Sequence, residues 1–181
     1  IEASEVPVYD QEIEGITDGG IIRAGVTHTF QTQRGGPGMW HSVDLLRIST
    51  DFVYSSDDAT RRNPIPRFFD YRPELSSAGK FLVVDAALRL TGATTLTGGV
   101  TYDLDADQQA TSNAGLLMRH SPGFVTIGEI RYVNPQDATY LTVGTSYDLT
   151  EKYAAAFGVT YDATSGGFQS TAVEMRRRFA S

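Results

Sequence analysis

The chain has 181 residues, 40% of them apolar, no cysteine and a formal net charge of −7. That length suits a single domain with no second one, and the missing cysteines exclude a disulfide framework or a thiolate metal site within these residues. The acidic balance argues against nucleic-acid binding through phosphate neutralisation, and without 18 consecutive apolar residues no membrane helix can form.

Residues 1–19 are acidic and carry no sustained period, which predicts a loop. No initiator Met or charged-then-apolar leader stands at Ile1, so the start is read as processed or excised. From residue 20 the pattern becomes strict alternation and continues to 179. Ile22, Ala24, Val26, His28 and Phe30 share one face, with Arg23, Thr27, Thr29, Gln31 and Gln33 on the other. A period of two means a strand with one apolar and one polar face. RGGPG at 34–38 breaks it.

The same grammar then repeats. Leu46, Ile48, Phe52 and Tyr54 stand against Arg47, Ser49 and Asp51, and a long polar link follows at 55–79. Leu82, Val84, Ala86, Leu88 and Leu90 alternate with Asp85 and Arg89, and Leu96, Val100, Tyr102 and Leu104 with Thr95, Thr97, Thr101 and Asp103. Ala114, Leu116 and Met118 oppose Asn113 and Arg119, and Ile130 and Tyr132 oppose Glu129 and Arg131. Leu141, Val143, Tyr147 and Leu149 come next, then Tyr153, Ala155, Phe157, Val159 and Tyr161. The last run sets Val173, Met175 and Phe179 against Glu174, Arg176 and Arg178.

The expected fold is therefore all-β: about nine amphipathic strands in antiparallel up-and-down order, forming part of a transmembrane β-barrel. Several runs reach about ten residues, the length a tilted strand needs to cross a bilayer. Links near 91–93, 121–123 and 149–152 read as short, and those at 55–79, 105–108, 134–138 and 162–167 as longer and more polar, as outer-membrane barrels alternate. Phe30, Tyr54, Tyr102, Tyr132, Tyr147, Tyr153 and Tyr161 fall near strand ends, where interfacial girdles sit, although aromatic residues also favour strands generally. Nine is an odd count, whereas single-chain bacterial barrels are even, so the expectation is a piece of a larger barrel. A soluble barrel or sandwich with the apolar face turned inward satisfies the same periodicity.

Catalytic signatures are missing. The sequence holds no GxSxG, HExxH, P-loop, GxGxxG or EF-hand pattern, which predicts neither an enzyme nor a cofactor site. DLDADQ at 103–108 resembles half a calcium loop but lacks the glycine and distal Glu, so a hairpin tip is the better reading. His120 beside Ser121 reads as an interfacial His and a turn Ser. The candidate functional feature is the polar face: Arg47, Asp51, Asp85, Arg89, Arg119, Glu129, Arg131, Glu174 and Arg176, with Arg23 and Asp103, would line a lumen of mixed charge. A purely structural polar network is the competing reading. Lysine occurs only at Lys80 and Lys152. That bias toward Arg suits fixed carboxylate or phosphate pairing, and a GC-rich coding sequence would produce it equally well.

Three segments carry a family resemblance: FQTQRGGPGMWHSVDLLRISTDFVYSSDD at 30–58, PIPRFFDYRPELS at 64–76 and GGFQSTAVEMRRRF at 166–179. They resemble the barrel of the LPS-assembly protein LptD family, in its planctomycete-type members. The resemblance implies an outer-membrane translocon that inserts lipopolysaccharide into the outer leaflet, with a plug lipoprotein and periplasmic bridge proteins as partners. The family's interdomain cysteines and jellyroll have no counterpart in these residues. A general porin, with 55–79 as its constriction loop, is the alternative function, and a soluble ligand-binding β-barrel is the next.

Overall fold

A computed structural model describes residues 16–18, 20–56, 60–61, 73–76 and 79–177. In chain order its elements are β1 (Ile16–Asp18), β2 (Ile21–Arg34), β3 (His41–Ser55), β4 (Thr60–Arg61), the one-turn helix α1 (Pro73–Ser76), β5 (Lys80–Arg89) and β6 (Thr94–Asp103). They continue with β7 (Gln108–Ser121), β8 (Phe124–Val133), a 3-10 turn (Asn134–Gln136), β9 (Ala138–Asp148), β10 (Tyr153–Asp162) and β11 (Gly167–Arg177). Nine of the strands make one sheet in the order β2-β3-β5-β6-β7-β8-β9-β10-β11, and every pairing is antiparallel. The sheet is an open up-and-down meander, its edges β2 and β11.

Two expectations are corrected. Ile16–Asp18, inside the segment expected to be loop, is a short strand that pairs with Thr60–Arg61 in a separate two-stranded sheet. The expected alternation of short and long links reduces to one long link. Residues 104–107, 134–137 and 163–166 span four residues each, as do 90–93 and 149–152 on the opposite end. Polar composition made these hairpins look longer than they are. Only the β3–β5 link, which contains β4 and α1, is long. Most of the 64–76 segment lies outside the described residues.

Register assigns each side chain to a face, because directly paired residues point the same way. Val26 pairs with Thr50, Thr50 with Val84, Val84 with Val100 and Val100 with Ser112. Further along the same face, Ile130 pairs with Leu141, Leu141 with Tyr161, and Val143 with Val159. This apolar face is open to the surroundings over its whole width, with Ile22, Phe30, Val100, Ile130, Val143, Phe157, Val173 and Met175 all exposed.

Burial among the described strand residues falls on the opposite, polar face. Apart from Ala110, the extra residue at the β6–β7 bulge, every buried strand residue is on that side. Val53, Phe81, Val83, Val133 and Tyr140 are packed there beneath the end that carries the long link, together with Thr101, Thr111, Thr160 and Asp162. The fold therefore inverts the usual globular arrangement: its small core occupies one end of the polar face.

Two loop designs recur at the two ends. At the long-link end, Asp107 (φ 50°), Asp137 (φ 48°) and Gly166 (φ 75°) each follow Tyr102, Tyr132 or Tyr161 by five residues. Asp and Gly tolerate this left-handed backbone best. The Tyr102 hydroxyl donates to Asp107 at 2.8 Å and that of Tyr132 to Asp137 at 3.0 Å. Asp103 and Asp162 accept two loop N–H groups each. At the other end, Thr91 Oγ1 accepts from the N–H groups of Ala93 and Thr94, and Thr150 Oγ1 from those of Lys152 and Tyr153. Each device satisfies turn donors locally.

Candidate functional site

The register places all nine candidate residues on the polar face. Arg47 pairs with Thr29 and Ala87, Asp51 with Gly25 and Val83, and Asp85 with Ser49 and Gly99. Arg89 pairs with Thr95, Arg119 with Val125, Glu129 with Gly115 and Thr142, and Arg131 with Asn113 and Tyr140. Glu174 and Arg176 pair with Ala156 and Ala154. Charges of both signs, carried by β3, β5, β7, β8 and β11, therefore share one side of the sheet, with none of the nine on the apolar side.

Distances separate these residues into local groups. Arg23 donates to Asp51 Oδ2 at 2.8 Å across β2 and β3. Two residues apart on β8, and so side by side on one face, Arg131 reaches Glu129 Oε1 at 2.8 Å. Asn113 of β7 donates to the other Glu129 oxygen at 3.3 Å. The same Glu-x-Arg spacing recurs on β11, where Arg176 Nε lies 2.5 Å from Glu174 Oε1. Pairs of this kind fix side-chain direction more than they stabilise, since exposed ion pairs contribute only about 0–1 kcal/mol. Arg47, Arg89 and Arg119 stand nearer the short-link end and do not join these groups.

Glycines make room for the carboxylates. A Cβ at Gly25 would collide with the Asp51 carboxylate, and one at Gly99 would fall 2.5 Å from Asp85 Oδ1 and 2.7 Å from Asn113 Oδ1. Both acidic side chains thus lie across the neighbouring strand. This cross-strand pairing of Gly with Asp is not legible as a motif, because a turn separates its two halves, and for Gly25 and Asp51 a bulge as well.

Sequence reasoning also missed Glu74. It belongs to α1, in the long link, yet the residue is only 4% exposed. With Asp85, Gly99, Thr101, Thr111, Asn113 and Arg131 it lines a cavity of about 30 Å³ on the polar face. That is room for a single water molecule. Pro73 beside it is fully buried. A segment of the long link is therefore folded back over the strands, against β5 and β6.

Aromatic side chains border the apolar face at both ends. Tyr54, Tyr102, Tyr132 and Tyr161 are at the long-link end, and Phe30, Phe124, Tyr147 and Tyr153 at the other. Phe124 meets Tyr147 edge-on at 5.7 Å, and Arg177 stands 5.8 Å over the Tyr153 ring. Phe124 to Tyr132 and Tyr153 to Tyr161 are each eight residues along a strand, a span of about 26 Å at about 3.3 Å per residue.

Among the described residues, no group of three or more His, Cys, Asp or Glu side chains is placed to hold a metal ion. No described helix is long and apolar enough to cross a membrane, a statement that does not bear on strands. Compared with known proteins, the chain matches no family model and no curated protein.

Proposed function

We propose that these nine strands are a sector of an outer-membrane β-barrel wall, with the apolar face toward lipid and the polar face toward a lumen that conducts lipopolysaccharide. The observation that carries the membrane reading is the inverted distribution of side chains. An apolar face left open across nine strands is costly in water, at roughly 25 cal/mol per Å². The same face is at no cost against acyl chains. At the strand tilt of such barrels, aromatic borders about 26 Å apart along the strand stand roughly 18–21 Å apart along the membrane normal, which places them within the edges of an apolar band of about 25 Å. The cargo rests on the resemblance of three segments to the LptD family, together with a lumenal lining of both charge signs that an amphiphile with phosphate and sugar groups could follow.

The test places the single tryptophan by design. In a Trp40→Phe background, Val143→Trp puts an indole on the apolar face and Thr142→Trp puts one on the polar face. In vesicles of lipid brominated at mid-chain, the first is expected to be strongly quenched and the second not. Equal quenching of the two would reject the membrane reading.

One observation favours a second function for the same wall. Glu74 and Pro73 are folded against the polar face, as a constriction loop of a passive porin would be. Planar-bilayer recording separates the two: a porin conducts ions by itself, whereas a translocon that awaits its plug lipoprotein gives no steady, uniform conductance.

A further inference from the structure

We propose that the short-link border of the apolar face is a contact for the phosphate groups of anionic phospholipid, with Arg34, Trp40 and Arg177 as its principal side chains. This rests on the reading of the apolar face as lipid-facing. The two aromatic borders of that face differ in electrostatic character. At the long-link border the tyrosine hydroxyls are held by carboxylates, Tyr102 by Asp107 and Tyr132 by Asp137. Lys80, the register partner of Tyr54, is engaged there by Asp105 at 3.3 Å.

At the short-link border cations stand beside the rings instead. Alternation along β2 carries Arg34 to the same side as Phe30, and its register partner is His41. Arg177 stands over the Tyr153 ring, and His120 lies against Phe124 with ring centroids 4.5 Å apart. Lys152 is exposed in the turn before Tyr153. The strand carboxylates at this end, Asp44, Asp148 and Glu174, fall on the polar side by register, where Asp44 accepts from Gln31 at 2.8 Å. Glu151 belongs to the β9–β10 turn.

Arg34 is the best placed of these cations. Its Nη2 donates to the backbone carbonyls of Arg89 at 3.1 Å and Leu90 at 2.9 Å, which fixes the guanidinium across the start of β3. A guanidinium carries five N–H donors in one plane. Three therefore remain, on Nε and Nη1, in the planar arrangement that matches two phosphate oxygens. Beside it the β2–β3 turn exposes Met39 and Trp40, and Leu90 is exposed at the end of β5. A fixed cation next to exposed apolar and indole side chains fits a phosphate that carries acyl chains, rather than a free phosphate ion. Indole rings and snorkelling basic side chains are what membrane–water interfaces collect.

Trp40 is the only tryptophan in the chain, so its fluorescence reports on this border. The full chain is folded into phosphatidylcholine vesicles that contain a minor share of phosphatidylglycerol brominated on the acyl carbons near its headgroup. Parallel vesicles contain the same share of phosphatidylcholine brominated in the same way. Phosphatidylglycerol is expected to quench Trp40 more strongly, since a basic residue near an anionic surface shifts binding by about fivefold. The excess is expected to be lost in Arg34→Gln. It should also fall in the unmodified chain as salt shortens the Debye length from about 10 Å at 0.1 M to about 3 Å at 1 M. In a Trp40→Phe background, Tyr132→Trp at the long-link border should show no excess. Equal quenching of Trp40 by the two lipids would overturn the proposal, and a quenched Val143→Trp would still uphold the membrane reading. An excess at Tyr132→Trp as large as at Trp40 would overturn it as well, as would an excess indifferent to both salt and Arg34→Gln. If Val143→Trp is unquenched, the membrane reading falls, and this proposal with it.

Discussion

A carboxylate that lies across the next strand needs that strand to be without a side chain at the crossing. Gly99 provides this for Asp85, and Gly25 for Asp51. Gly99→Ala is expected to cost about 1–3 kcal/mol, as overpacked sites do, because both Asp85 and Asn113 have to swing away. Gly98→Ala is the control. Its Cβ would stand at ordinary contact distance, 3.4 Å from the Asn113 carbonyl, and the change should stay within about 0.5 kcal/mol. Urea unfolding of the two variants in the same detergent measures the difference, and equal midpoints would show that the acidic side chains do not depend on the glycines. At this scale the sequence is half legible. Alternation alone assigns Asp51, Asp85, Glu129 and Arg131 to one face, but partnership across strands depends on register. The bulges opposite Phe30 and beside Tyr102 shift that register by one residue, and no local residue announces them. Glu74 belongs to no periodic segment at all, so only the folded chain brings it to the polar face.

Strands are where physical periodicity speaks most clearly. β6, β8 and β10 begin directly after the links expected at 91–93, 121–123 and 149–152. The exception is the start of β7. QQATSN is polar apart from Ala110, yet it is extended because β6 pairs with it from Gln108 and β8 from Thr111. The hairpins were the least legible elements, since composition reports polarity and not length. One substitution tests the assignment of faces. Phe157→Arg, in the middle of β10 on the apolar side, is expected to destabilise the folded chain by about 2–4 kcal/mol if that side meets mid-bilayer lipid. Ser146→Arg, on the polar side of β9, should cost less than about 1 kcal/mol. Equal losses in vesicles would remove the distinction between the two faces.

For the molecule as a whole, the position of the core decides its solvent. Few apolar side chains among the described residues are buried, and they cluster at one end of the polar face, while the opposite side exposes Leu, Ile, Val and Phe from every strand of the nine-stranded sheet except β7's polar start. Contiguous apolar patches on soluble monomers rarely exceed a few hundred Å². The chain is therefore expected to associate in aqueous buffer and to become monomeric once detergent covers that side, as sedimentation or light scattering would record. A folded monomer in buffer alone would favour the soluble barrel, with the opposite side turned inward.

Each strand of the sheet pairs only with its neighbours in the order of the chain, the single long link between β3 and β5 included. Position along the gene is thus position across the sheet. Duplicating or deleting one hairpin would alter the breadth of the sheet by two strands without rewiring any other pairing, so its width can change by simple tandem copying while the two edge strands stay the same.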